Sequence, residues 1–244
     1  MKHDAHNPPP SAGEGGPRSG SGEGSDSAAR PPSQVNSPEA GFPSPASHPR
    51  GTLPRRGGRV FAVVKLGGSL LTDSARLRTL LGDCAMINVA IVPGGGPFAD
   101  AVRTAQSALG FDDALAHRLA LDAMGRMAEV FCCLEPRLTV AASLDAVADA
   151  LAQSRSVVWD PTALKAGCPD IPESWAVTSD SLALWLATRL GAERCILEKS
   201  APVPAADPQA LAAAGLVDAA FPLFAARYPG RIVVRGPESV SEAA

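Results

Sequence analysis

Histidine is scarce in this sequence of 244 residues. Only four occur, and His3, His6 and His48 fall in the first 58 positions, which leaves His117 for the rest of the chain. A Ser-His-Asp or Cys-His catalytic set would have to use that one residue, and a multi-His metal site is excluded. The five cysteines, Cys84, Cys132, Cys133, Cys168 and Cys195, form no Cys-x-x-Cys pair and are odd in number. Neither a zinc knuckle nor a disulfide framework is indicated, and a reduced, cytoplasmic compartment fits best. No apolar run reaches the roughly 18 residues that a membrane span requires. The net charge of −3 argues against a general nucleic-acid binder.

Large apolar residues are nearly missing from residues 1–58, where only Met1, Val35, Phe42 and Leu53 qualify. Gly, Pro and Ser fill about half of that stretch. Such a segment cannot bury enough apolar surface to offset the entropy of ordering it, so a disordered extension is expected over 1–58. It has no apolar run behind a basic start, so no secretory signal is expected either. Residues 59–244 are then the folding unit, long enough for one domain with a sizeable core.

Within that unit, short apolar runs alternate with helical periodicity. Strands are expected at Val60 to Lys65, Asn88 to Val92, Leu138 to Ala141, Val157 to Trp159, Arg194 to Glu198 and Ile232 to Val234. Helices are expected over Leu70 to Leu81, from Pro97, over Asp112 to Leu134, from Ser143 to about Gln153, from Ser179 or Asp180 through Leu190, and from Asp207-Pro208 to Ala214. A looser stretch separates Pro161 from Ser179. Repeated strand–helix units of this kind make an α/β protein, a three-layer α/β/α sandwich around a mostly parallel sheet. Ligands of such sheets bind beyond the C-terminal strand ends.

Two of those ends are rich in glycine. The first strand runs into Lys65-Leu66-Gly67-Gly68-Ser69, and the second into Pro93-Gly94-Gly95-Gly96-Pro97. Glycine lets backbone approach a ligand closely, and a helix N-terminus adds unpaired N–H groups, so the two turns would make a paired anion cradle. Lysine is otherwise rare: only Lys2, Lys65, Lys165 and Lys199 occur, and Lys65 and Lys199 fall at expected strand ends. A lysine there is a compact charge that can follow a moving phosphoryl group, or else a solvated strand terminus. The P-loop pattern, the G-x-G-x-x-G spacing and the protein-kinase motifs are absent.

Three segments, VVKLGGSLL (63–71), IVPGGGPFADAVR (91–103) and TSDSLALWLA (178–187), resemble the amino-acid kinase superfamily. The likeness extends over 59–235. Shorter strings are similar to the [5-(aminomethyl)furan-3-yl]methyl phosphate kinase branch of methanopterin biosynthesis: Ala116-His117, Ala123-Met124, Trp175 with Thr178-Ser179-Asp180, Leu197 to Ser200, and Gly215 to Asp218 with Phe221. The resemblance implies an ATP- and Mg²⁺-dependent kinase of a small anionic metabolite, with that furan phosphate as acceptor and a diphosphate as product. It implies that Lys65, Asp180 and Lys199 are catalytic. Gly67, Gly68, Ser69, Lys199 and Asp218 would hold the nucleotide. Gly94, Gly95, Gly96, Arg103, His117 and Ser179 would hold the acceptor. No protein metal ligand set is implied beyond a water-mediated role for Asp180. Homo-oligomers are also implied, with the long helix and its methionines as interface. The pattern departs at Ser200, which leads into Ala201-Pro202-Val203-Pro204-Ala205 where many members place Asp-Gly.

Alternatives stand beside these roles. His117 reads as a core histidine or an acceptor contact, and Arg103 as solvated or phosphate-binding. Asp218 reads as a helix cap or a nucleotide contact. Met124 and Met127 suit a core or an interface, and Trp175 suits a cleft wall. Cys132-Cys133 has nothing nearby to lower a thiol pKa, so no redox role is expected. A uridylate-type kinase is the alternative enzyme, and a molybdenum-storage protein binding ATP and oxyanion clusters is the alternative outside catalysis.

Overall fold

The computed structural model describes residues 60–204, 206–237 and 240–243. The extension expected over 1–58 lies outside the described residues. The strands are β1 (Ala62–Leu66), β2 (Val89–Pro93), β3 (Thr139–Ala141), β4 (Val157–Trp159), β5 (Arg194–Glu198), β6 (Arg231–Arg235) and β7 (Val240–Ala243). They form one sheet in the order β3-β4-β2-β1-β5-β6-β7. The first six are parallel, and β7 runs antiparallel to β6. The helices are α1 (Ser74–Ala85), α2 (Gly96–Leu109), α3 (Asp113–Leu134), α4 (Leu144–Ala152), α5 (Ser179–Leu190), α6 (Pro208–Ala213) and α7 (Phe221–Ala225).

Alternation along the strands divides the core between two faces. Val63, Ala90, Val92, Cys195, Leu197, Ile232 and Val234 face α4, α5, α6 and α7. Val64, Leu66, Val89, Ile91 and Val158 face α1 and the Met127-to-Phe131 part of α3. Both faces are therefore covered, which accounts for central strands that are apolar at nearly every position. The chain steps from β1 to β2 on one side and reaches β5 on the other. The crevice where connections part in this way lies at the C-terminal ends of β1 and β5.

The expected helix over 70–81 is divided. Gly68–Thr72 forms a 3-10 turn, and Asp73 then caps α1 by accepting from Arg76 N at 3.0 Å. An aspartate at that point favours a helix start over a helix interior. Asp160 and Pro161 open another 3-10 turn, Pro161–Ala166, within the stretch expected to be loose. The short α7 and β7 went unanticipated. Of the two readings of the α3 methionines, core or interface, the structure gives the core. Met124 is 4% exposed and Met127 1%, both inside the chain's own core, whereas Leu115 on the same helix is exposed. Those methionines are not an open subunit interface. Among the described residues no helix is long and apolar enough to cross a membrane.

Candidate functional site

Strand alternation decides which way the site's charges point. Lys65 lies on β1 in register with Leu197 on β5. Lys65 shares a face with Val63, so its stem runs toward α5. On β5, Leu197 faces α5, Glu198 faces α1, and Lys199 just past the strand turns back to the α5 side. Asp180 sits in the first turn of α5. Lys65 Nζ and Lys199 Nζ both reach Asp180 Oδ1, at 2.9 and 2.8 Å. All three residues are buried. The third lysine among the described residues, Lys165, lies elsewhere and pairs with Asp122.

The arrangement leaves excess positive charge on one buried carboxylate. Burial alone would push the Asp180 carboxyl up, but Lys65 and Lys199 hold it below its ordinary value. Burial, reinforced by the neighbouring Lys65 charge, pushes Lys199 down to about 8 against the pull of Asp180. Such a group wants a further anion, and a phosphate entering between the lysines would supply it.

Asp218 fixes the start of α5 from outside the helix. Its Oδ2 accepts from Thr178 N, Thr178 Oγ1 and Ser181 N, each at 2.9 Å, and its Oδ1 accepts from Ser181 Oγ. Thr178, the residue at the cap position, makes no side-chain capping bond itself. Four donors occupy the acceptor sites that a carboxylate offers. Of the two roles read for Asp218, the structure shows the helix cap. Burial, with Asp180 adding to it, raises the Asp218 pKa.

The two glycine turns meet. A Cβ on Gly68 would lie 2.6 Å from Gly96 N, and a Cβ on Gly94 would lie 2.6 Å from Gly68 N. Gly96 also adopts φ +53°. Gly94 N donates to Leu66 O at 2.8 Å, which ties the second turn to the end of β1. The Lys65 ammonium lies against the first turn, since a Cβ on Gly67 would come within 2.9 Å of Lys65 Nζ. Lysines and glycine turns thus form one continuous surface.

Beside them opens a cavity of about 440 Å³. Gly94, Gly95, Gly96, Arg103, His117 and Ser179 all line it, so every residue read as acceptor-binding faces the same space. Gly68 and Ser69 border it as well. Leu71, Leu121, Met124, Val177 and Leu182 make much of its wall apolar. Trp175 closes one side. Its Nε1 donates to Gln106 Oε1 at 2.6 Å, and the Arg103 guanidinium stacks on its ring at 4.2 Å. His117 is 4% exposed, and its Nδ1 lies 3.2 Å from Ser174 O, so Nδ1–H donates there. Burial lowers its pKa although the Ser174 bond opposes this. His117 is therefore a buried histidine and a pocket wall at once. Arg118 pairs with Glu173, so residues 173, 174 and 175 are each tied to α2 or α3.

Sequence reading missed Gln106, Glu173 and the group around Glu198. Glu198 accepts from Arg76 Nη2 at 3.3 Å and pairs with Arg235 Nη2 at 2.5 Å, while only 3% exposed. An acidic residue ending an apolar strand next to Lys199 was the available signal. Cys132 is pushed up to about 11 by burial, which keeps its thiol protonated. Among the described residues no three His, Cys, Asp or Glu side chains are placed to hold a metal ion.

Residues 61–154 match the amino acid kinase family. Over 141 residues the chain is 30% identical to [5-(aminomethyl)furan-3-yl]methyl phosphate kinase of Methanocaldococcus jannaschii, a match covering 55% of this chain and 63% of that protein. The chain thus spans somewhat under two thirds of that relative. A uridylate kinase structure from Archaeoglobus fulgidus superposes with a TM-score of 0.58 at 19% identity, covering 75% of this chain and 99% of the other. An aspartate kinase structure from Synechocystis gives 0.57 at 15% identity, covering 76% and 40%. At these identities the two structures establish the amino-acid kinase fold.

Proposed function

We propose that the protein is an ATP-dependent phosphotransferase acting on a small phosphorylated metabolite, a reading supported by the match of residues 61–154 to the amino acid kinase family and by the amino-acid kinase fold. The observation that supports this most is the convergence of Lys65 and Lys199 on one oxygen of Asp180, beside two interlocked glycine turns. We assign the chemistry to the 59–244 unit.

In this reading an acceptor phosphate oxygen attacks the γ-phosphorus of ATP. One P–O bond forms, the bond to the β-phosphate oxygen breaks, and ADP leaves. Little covalent chemistry falls to the protein, so positioning and charge neutralisation dominate. Lys65 meets the transferring group, and Lys199 meets the β- and γ-phosphates. Asp180 aims both lysines. Backbone N–H groups at Gly67 and Gly68 take the nucleotide's phosphates, and those at Gly95 and Gly96 take the acceptor's, Gly94 N–H being held by Leu66 O.

Mg²⁺ fits this site as an ion held chiefly by nucleotide phosphates and water, its usual mode. The carboxylate touching the lysines is Asp180, whose Oδ1 serves both of them, so the chain would contribute one carboxylate at most. When bound, Mg²⁺ neutralises phosphate charge.

For the acceptor we propose [5-(aminomethyl)furan-3-yl]methyl phosphate, converted to its diphosphate. The named relative supports it. So does the cavity, which sets Arg103, His117, Ser179 and the glycine N–H groups against Leu121, Met124 and Leu182. The flat furan ring suits such an apolar wall, and the aminomethyl ammonium can meet Asp100, which also lines the cavity. A uridylate-type activity is the second reading, favoured by the fold neighbours. The protein is expected in the cytoplasm as a homo-oligomer. The test is coupled ADP release over a panel of the furan phosphate, UMP, isopentenyl phosphate, acetylglutamate and aspartate, with Lys65→Ala as control. Molybdenum or tungsten bound in several atoms per chain, without turnover, would point to storage instead.

A further inference from the structure

The Lys199 backbone is held by β6 in the plane of the sheet and by Arg76 from the face away from the lysine pair. Its N–H donates to Arg235 O at 2.7 Å. Its carbonyl accepts from Arg76 Nη1 at 2.7 Å. The other terminal nitrogen of Arg76 reaches Glu198 Oε2 at 3.3 Å, and the second oxygen of Glu198 meets Arg235 Nη2 at 2.5 Å. The Glu198 side chain is 4% exposed and the Arg76 side chain 21%. Arg76 lies near the start of α1, a helix otherwise engaged with the opposite face of the sheet.

Resting on the phosphotransferase reading, we propose that Arg76 and Glu198 are positioning residues that set the reach of Lys199 into the phosphate site. Three features lead there. Lys199 is the first residue past β5, held there by a last ladder bond from its N–H to Arg235 O, so that its carbonyl is left for Arg76 to hold. Its ammonium must stay within 2.8 Å of Asp180. A guanidinium spanning a backbone carbonyl and a buried carboxylate is a planar two-point brace, which a lysine cannot reproduce. Glu198 in turn anchors Arg76 and Arg235 together, so α1 and β6 hold the carbonyl and the N–H of one residue. Arg76 and Glu198 do not line the acceptor cavity, and the site residue whose backbone they hold is Lys199.

The test is ATP binding to the full chain with Mg²⁺ by titration calorimetry, beside thermal melting. Wild type, Arg76→Ala, Arg76→Lys, Glu198→Gln and Lys199→Ala are compared. The inference expects Arg76→Ala and Glu198→Gln to weaken ATP binding about tenfold, on the scale of lost hydrogen bonds to charged groups. Arg76→Lys is expected to recover part of that loss. The KM of the furan phosphate, measured in the same variants, should move less than twofold, a split that general loosening of the fold would not give. ATP affinity unchanged in Arg76→Ala and Glu198→Gln while Lys199→Ala loses it would overturn the inference and leave the kinase reading intact. A wild-type chain that binds no ATP would overturn the reading itself. Should Arg76→Ala fail to fold, Arg76→Lys and Glu198→Gln decide on the same criteria.

Discussion

Gly68 and Gly96, at the ends of neighbouring strands, meet backbone to backbone: a Cβ on Gly68 would stand 2.6 Å from Gly96 N. No side-chain rotation relieves that overlap, because both partners are main chain. Gly68→Ala should force the two turns apart. The expected result is a loss of about 1–3 kcal/mol of stability, the scale of overpacking. An ATP affinity at least about tenfold weaker should accompany it, with one missing cradle contact costing about 1.5–3 kcal/mol. Thermal melting and nucleotide titration check both. Wild-type behaviour in each would mean the turns are not a phosphate cradle.

Lys199 makes ATP binding depend on pH. Its pKa near 8 means that it is charged below that value and increasingly neutral above it. Binding a polyanion favours the charged form, so ATP affinity should fall as pH rises through 8, and binding at pH 8.5 should take up a proton. Calorimetry in two buffers of different ionisation enthalpy reads that uptake. The same depression has a sign for folding. The unfolded chain holds this proton up to about 10.5, so Lys199 makes the fold more stable as pH rises from about 8 toward that value. Affinity constant from pH 7 to 9 would contradict the account.

Trp175 and its partners on α2 govern the acceptor side. Trp175→Ala removes the wall that Gln106 and Arg103 hold in place. The acceptor KM should rise about tenfold, the change expected when a few buried contacts of a substrate are lost, with the ATP KM unchanged. Equal changes in both constants would mean that the wall does not distinguish the two substrates.

Asp218→Ala tests the capping role. Removing the carboxylate leaves Thr178 N and Ser181 N without the acceptor at 2.9 Å that each now has. The expected cost is about 1–2 kcal/mol, the range for a lost helix cap. Asp180 should drift with the loosened helix start, so kcat falls as well. An unaltered melting temperature with a large loss of ATP affinity would return Asp218 to the nucleotide.

The fold was legible where apolar period and punctuation agree. β1, β2, β4 and β5 are short apolar runs, and α3, α4, α5 and α6 have a recognisable cap or stop. It was illegible where an element is too short to show a period, as in α7, or where a polar residue redirects the chain, as Asp73 does within the helix expected over 70–81. In the site, Lys65, Lys199 and the glycine turns stood out because lysine is rare here and glycine sits at strand ends. Their meeting on a single oxygen of Asp180 is a property of the sheet register, which pairs Lys65 with Leu197, and no local string encodes it. The brace of Arg76, Glu198 and Arg235 joins α1, β5 and β6, so one sequence alone gave it no mark beyond an acidic residue beside Lys199. The period of the α3 methionines left core and interface both open, because a buried stripe and an interface stripe have the same period, and burial decides for the core.

The most direct test of the central claim is Mg²⁺-dependent release of ADP from ATP with [5-(aminomethyl)furan-3-yl]methyl phosphate, comparing wild type with Asp180→Asn. The account predicts turnover that requires the acceptor. It predicts a kcat lower by about 10²-fold or more in the variant, as for removal of a group that stabilises transition-state charge. A wild-type chain that turns over neither this acceptor nor any other small phosphate or carboxylate in the panel, or an Asp180→Asn variant as active as wild type, would contradict it.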